Sequence, residues 1–325
     1  MLPVVILHRN RPDRVGPTVR RFLAQDVPGG VRVVLVDNGS TPANRDAALA
    51  DLPDGVEVVT LPANVGFGPG ANAGFRHVLA HPRADDGPWI ALAPDDAEPA
   101  DGCLARMVAA AEARPRAGLV SADFGDGATP VVDPYFGGIL APATVDEGWE
   151  PAGHPHGTLM MAHRDLLREV GLFDERYFAY CEEADLALRA KAAGWETGLV
   201  RGAIVVNPDM ATRHAVVDYL QLRNTLLLVR EHSGRYHVTI RGIMAVGQLL
   251  SGLVWPSRRG PYWTPAARVR AIVDFLRGRF GPPPAAVAGS ERSPAPARSV
   301  RPRLRPPRGA PGRGTTTTRP GPRRP

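Results

Sequence analysis

Cysteine is scarce in this chain. Among 325 residues only Cys103 and Cys181 occur, far apart and never as C-x-x-C, which excludes a disulfide framework and a cysteine-built zinc site and fits a reducing cytoplasm. A long apolar run at the start is missing too: Leu2 to Leu7 is too short for a signal segment or a membrane span, has no basic residue before it, and reads as a first buried strand. No internal repeat occurs. Basic excess is absent from most of the chain, because residues 281–325 hold ten Arg and one acid, net +9, so with +6 overall residues 1–280 carry 6 − 9 = −3. The pI near 9.9 therefore describes a tail, and only the tail can support a nucleic-acid or anionic-membrane partner.

What is present is a chain 44% hydrophobic, enough for one large α/β core with C-terminal additions or for two modest domains. Apolar runs alternate with helix-like stretches: strands at Val4–Leu7, Val31–Val36, Val56–Leu61 and Trp89–Ala93, helices at Arg14–Ala24, Arg45–Ala50 and Gly74–Ala80. That alternation predicts βαβ units and a mostly parallel sheet flanked by helices, and continuously apolar strands such as Val31–Val36 predict cover on both faces. Further helices are expected at 101–114, 163–170, Glu183–Ala193 and 215–232. After Gly234 the character changes, giving units of 1–235, 236–280 and 281–325. Residues 238–256, followed by Arg258-Arg259, read either as a buried amphipathic helix or as an interfacial membrane helix. The last unit, with twelve prolines and the run Thr315–Thr318, is expected to be disordered.

Four stretches carry chemistry. Val36-Asp37-Asn38-Gly39-Ser40 ends a strand in an acid and a turn, which places Asp37 where open α/β sheets bind ligands, although the same pattern is an ordinary strand exit. Asn64-Val65-Gly66-Phe67-Gly68-Pro69-Gly70-Ala71-Asn72-Ala73-Gly74 is a glycine-dense loop that lets backbone approach a ligand; its position and spacing are not those of a dinucleotide fingerprint. Leu92-Ala93-Pro94-Asp95-Asp96 puts two carboxylates at an exposed strand end, suited to a hard divalent cation on a diphosphate or, equally, to a solvated helix start. Gly171-Leu172-Phe173-Asp174-Glu175-Arg176-Tyr177-Phe178-Ala179-Tyr180-Cys181-Glu182-Glu183-Ala184-Asp185-Leu186 crowds acids at a helix start. Glu182, Glu183 and Asp185 beside Phe178, Tyr180 and Trp195 suit a carboxylate with a raised pKa, or a plain helix N-terminus; Asp174 and Glu175 suit turn and cap roles.

The order of VDNGS, NVGFGPGANAG, the APDD strand end, HGTLMM with GLFDERYFAYCEEADLALRAKAAGW, and YLQLRN resembles the family-two inverting glycosyltransferases with the GT-A fold, in their rhamnosyltransferase-like bacterial branch, over roughly residues 3–235. The resemblance implies a GT-A Rossmann-like sheet with C-terminal helices. It implies transfer of a sugar from a UDP- or dTDP-sugar to a cell-envelope polysaccharide or glycolipid, at the cytoplasmic side of the membrane. By the same resemblance Asp37 recognises the base, Asn64 and Asn72 line the nucleotide site, and Asp95, with Asp96 compensating, holds Mg2+ or Mn2+. Glu183 becomes the catalytic base, with Glu182 and Asp185 orienting or acceptor-side.

Three departures qualify it. Ala93 stands where the family has Asp or Asn, Glu183 is a methylene longer than the usual Asp, and Val205-Val206-Asn207-Pro208 lacks a His, with His214 a poor substitute. They motivate a second reading, a catalytically weakened member kept as a binding or assembly partner. His154 and His156 read as polar loop surface, and Arg223-Asn224 as either a structural hydrogen-bonding pair or a phosphate contact.

Overall fold

The computed structural model describes residues 1–207 and 214–289. Strands β1 (Leu2–His8), β2 (Val31–Asn38), β3 (Glu57–Leu61) and β4 (Trp89–Pro94) alternate with helices α1 (Pro12–Leu23), α2 (Pro42–Ala50) and α3 (Phe67–Ala80). The short β5 (Glu98–Pro99) and α4 (Cys103–Glu112) lead into β6 (Ala117–Asp123) and a separate hairpin, β7 (Ala128–Asp133) with β8 (Gly137–Pro142). Then come β9 (Gly148–Pro151), β10 (Met160–His163), α5 (Arg164–Val170), α6 (Glu182–Ala192) and β11 (Glu196–Val206), and finally α7 (His214–Val254), α8 (Pro265–Leu276) and α9 (Ala285–Ala288).

The main sheet runs β3-β2-β1-β4-β10-β6-β11-β5, with β9 on β11. Its left half is wholly parallel, as the βαβ alternation dictates, and β6 and β11 run the same way; β10 lies antiparallel between β4 and β6. Side chains of β1 alternate between two cores. Val4 and Ile6 join Val15, Val19 and Phe22 of α1 and Leu104 of α4, while Val5 and Leu7 join Phe75 of α3, Leu166 of α5 and Leu186 of α6. Helices on both faces explain why β1 and β2 read as unbroken apolar runs.

Two expectations change here. The glycine-dense stretch is mostly helix, because α3 begins at Phe67 rather than Gly74. Pro69 falls in the first turn, where its missing N–H costs nothing, and burial of Gly68, Gly70, Ala71 and Gly74 overrides poor glycine propensity by packing. The helices expected at 215–232 and 238–256 are two halves of α7, divided at Gly234 (φ 85°, ψ −178°), a conformation that essentially only glycine adopts. The second half folds back, so that Ala245 shares a cluster with Tyr219, Leu222, Ala267, Ala271 and Val287.

The expected disordered unit also changes at its start. Residues 281–289 are ordered: Gly281 accepts from Arg223 at 2.8 Å and Val287 is buried. Residues 290–325 lie outside the described residues.

Candidate active site

Parallel pairing sets the strand ends side by side, with His8 opposite Asp37 and Leu7 opposite Pro94. Asp37, at the end of β2, is buried; its Oδ1 accepts from Ser40 N at 3.1 Å, while Oδ2 is buried with no partner among the described residues. A buried acceptor left open is costly unless a ligand donor completes it. Asn38 next to it, which the sequence did not single out, holds the turn before α3: Nδ2 donates to Gly66 O at 2.9 Å and to Asn64 Oδ1 at 3.2 Å, and Oδ1 accepts from Val65 N. Asn64 shapes this turn from an exposed position.

Asn72 is a correction. It is 1% exposed, and its amide is committed at both ends to Phe173, accepting from N at 3.0 Å and donating to O at 2.9 Å, with a further bond to Glu175. It ties α3 to the segment before α6 and does not line a nucleotide site.

Asp95 is buried rather than at an exposed strand end. Its Oδ2 lies 2.8 Å from His8 Nδ1 and 3.4 Å from Arg9 N; among the described residues its Oδ1 has only Arg11 Nη1, at 3.7 Å. Asp96 is engaged on both oxygens, by Arg11 Nη1 at 2.6 Å and by Asn207 Nδ2 at 3.1 Å, and burial raises its pKa against the pull of Arg11. Ala93 cannot contribute, since it is packed in the core beside Ala91. Magnesium-type sites take one or two carboxylates and complete their shell with substrate phosphates and water. Among the described residues the donor set fits that pattern through Asp95 Oδ1, while Asp96 anchors Arg11 and Asn207.

Asn207 thus stands at the acids where the sequence lacks a His. His214 does not; its ring packs on Tyr262. His8 and Arg11 were not anticipated, although the abrupt end of the first apolar strand in His8-Arg9-Asn10-Arg11 was the available signal.

The fourth stretch enters α6 through an unusual backbone: Phe178, Tyr180 and Cys181 have φ of 65°, 69° and 75°. Glu182 is 1% exposed, with Oε2 lacking a partner. Burial, and for Glu182 the adjacent Glu183 charge, push both carboxyls up, Glu183 to about 7. Asp185 is a correction, because His232 and Arg189 hold it at 2.8 Å and 2.9 Å. It braces α6 against α7 and is not free for an acceptor. Trp195 also lies elsewhere, against His163 and Arg116.

Glu183 meets Gly157 of the HGTLMM stretch, a pairing the sequence did not indicate. A Cβ on Gly157 would fall 2.2 Å from Glu183 Oε1 and 3.7 Å from Phe67 of α3, so a side chain there would push the carboxylate aside. Gly68 N donates to Phe178 O at 3.3 Å. The start of α3, the Gly157 loop and the glutamates therefore abut.

The model for glycosyl transferase family 2 matches residues 4–171, more than half of the chain. The chain belongs to glycosyl transferase family 2. It is similar to an N-acetylglucosaminyl-diphospho-decaprenol L-rhamnosyltransferase of Mycobacterium tuberculosis, 28% identical over 271 residues, which cover 71% of this chain and 87% of that protein. In fold it is similar to the mannosyltransferase PcManGT from Pyrobaculum calidifontis in complex with GDP-Man and Mn2+ (TM-score 0.56, 18% identity, 86% of this chain and 87% of that one). It is also similar to GalNAc-T7 with UDP, GalNAc and Mn2+ (TM-score 0.55, 14% identity, 85% and 56%). The fold class is therefore GT-A, and the protein is a nucleotide-sugar-dependent glycosyltransferase.

Proposed function

We propose that this glycosyltransferase moves a hexose from a UDP- or dTDP-sugar to a lipid-linked or polysaccharide acceptor of the cell envelope, with inversion. One observation carries the reading: Glu183 is a half-buried carboxyl raised to about 7 by desolvation, against Gly157 and, among the described residues, in no salt bridge, which are the properties of a general base working near neutral pH. The acceptor hydroxyl oxygen attacks the anomeric carbon, its proton passes to Glu183, and the bond to the departing diphosphate breaks with its electrons on the phosphate oxygen. Asp37 would accept from the nucleobase, and Asp95 would hold a divalent cation of the Mg2+ or Mn2+ kind, which would supply charge neutralisation for the diphosphate. Glu182 takes the orienting role beside the base.

A lipid-linked acceptor is supported by the name of the M. tuberculosis relative and by the C-terminal helices. Residues 242–257 contain no charged residue, and Tyr236, Ile243, Val246, Leu250, Leu253 and Val254 are exposed. Their spacing puts them on one stripe of α7, opposite Arg241, Ala245 and Gly252, which are buried. Helix α7 is long and apolar enough to cross a membrane, with 22% of its apolar window buried, but Arg241 and the packing on α8 favour lying in the interface. Trp255, Arg258 and Arg259 follow the stripe, and basic residues near anionic lipid add about 1 kcal/mol each. The enzyme would thus work peripherally at the inner face of the cell membrane.

Screening a panel of UDP- and dTDP-sugars for nucleotide release, with and without a lipid-linked acceptor and with Mg2+ or Mn2+, tests the reading. Release from at least one donor, accelerated by acceptor, is expected. Binding without turnover across the panel would favour the weakened, assembly-partner alternative instead.

A further inference from the structure

We infer that Asn224 is a positioning residue for the base, holding the left-handed segment that aims Glu182 and Glu183; this rests on Glu183 being that base. Among the described residues only Asn10, Phe178, Tyr180 and Cys181 are non-glycine with positive φ, and three of the four directly precede the two glutamates. Left-handed backbone is unfavourable for residues with a Cβ, most of all for bulky ones, so it persists only where surrounding groups over-determine it. Helix α6 itself supplies little, since its N-cap Cys181 makes no side-chain capping bond.

What holds the segment comes from α7. Asn224, wholly buried, directs the two N–H groups of Nδ2, one of them shared, at three carbonyls of the segment, Tyr177 O at 2.7 Å, Ala179 O at 2.7 Å and Tyr180 O at 2.9 Å. The amide cannot be turned round. Its Oδ1 accepts from Arg223 Nε at 3.1 Å, and three carbonyls facing an oxygen would repel it. Arg223 is pinned in turn by Tyr219 Oη at 3.1 Å and Gly281 O at 2.8 Å. Held in this way, the chain enters α6 with Glu182 directed into the interior and Glu183 onto Gly157. A turn needed only for folding is served without strain by glycine. Here aromatic residues and a cysteine occupy the strained positions and a buried amide compensates, which places the adjoining carboxylates.

The test is full-length Asn224→Ala, with Asn224→Ser, which keeps one donor, as the variant to read if the alanine protein does not fold. Displacement of the base by about an ångström predicts a kcat lower by about 10²-fold, with donor Kd within about twofold because no donor contact is removed. The acid limb of the kcat–pH profile is expected to move down from near 7 towards the ordinary carboxylate range, a change that lost stability alone would not cause. Cys181→Gly in the Asn224→Ala background, which removes the strain at φ 75°, is expected to restore part of kcat. An unmoved acid limb without restoration, or an unchanged kcat, overturns the positioning role. Glu183→Gln run alongside separates the two ideas: near-normal turnover there removes the base assignment, whereas an inactive Glu183→Gln with an unmoved limb in Asn224→Ala removes the positioning role alone.

Discussion

Glu183→Gln is expected to make the protein more stable while nearly abolishing transfer, and the stability gain should depend on pH. The carboxyl sits at about 7 in the folded chain against an ordinary 4.5. Each pKa unit corresponds to about 1.36 kcal/mol, so ionising the group in place costs the folded state roughly 3 kcal/mol. The sign follows from proton linkage. Below about 4.5 the group is protonated in both states and contributes nothing. Between there and 7 only the unfolded chain ionises it, so stability falls as pH rises, and above 7 the full cost stands. The amide keeps the shape without the titration. Denaturant unfolding at pH 5 and pH 8 should then show a small difference between wild type and variant at pH 5 and one of up to about 3 kcal/mol at pH 8, favouring the variant. Nucleotide release with acceptor should drop by about 10²–10⁴, with donor affinity by calorimetry unchanged. Because Glu182 titrates with Glu183, the observed midpoint belongs to the pair. Turnover within tenfold of wild type, or a stability difference equal at both pH values, would refute the reasoning.

Glu182→Gln should cost less in rate and act mainly through acceptor KM; a reversal of the two phenotypes would move the base to Glu182. Asp95→Asn is expected to abolish metal-dependent donor binding while keeping the fold, whereas Asp95→Ala also unpairs His8 and Arg9 at about 1–3 kcal/mol; persistent metal dependence by calorimetry would show the site to be misassigned. Asp37→Ala should weaken nucleoside diphosphate by about 1–3 kcal/mol and leave pyrophosphate binding alone, and equal loss for both ligands would count against a base contact. Vesicle co-sedimentation at low and high salt should separate full-length protein from a variant with Ile243, Leu250 and Leu253 changed to Ser, and identical behaviour would end the interfacial reading.

The parallel half of the fold was legible because period and burial agree: β1 and β2 are apolar throughout since helices cover both faces. The start of α3 was not, because glycine and proline signal a loop locally while packing against the sheet decides otherwise. In the site, acids were findable by type, but their states were not. Asp185 and Asp96 look like Glu183 and Asp95 in the sequence; the i+4 partner Arg189 of Asp185 was available there, but His232, Arg11 and Asn207 arrive from distant positions and complete the neutralisation. Asn72 failed for the same reason, since its partner Phe173 is 101 residues away. Gly157 lay within the HGTLMM stretch, but its closeness to Glu183, 26 positions on, could not be read there.

The bend at Gly234 gives the molecule a ruler. Asn224, which grips the chain beside the base, and Gly234, where the apolar stripe begins, lie on one helix ten residues apart, or roughly 15 Å of rise. With the stripe lying in the lipid interface, the reacting glutamate can stand no more than about that distance above it along α7. A site within that bound would suit a hydroxyl close to a lipid diphosphate better than one at the far end of a long glycan. On the proposed reading, the geometry of a single helix would limit acceptor length before any pocket makes contact with the sugar.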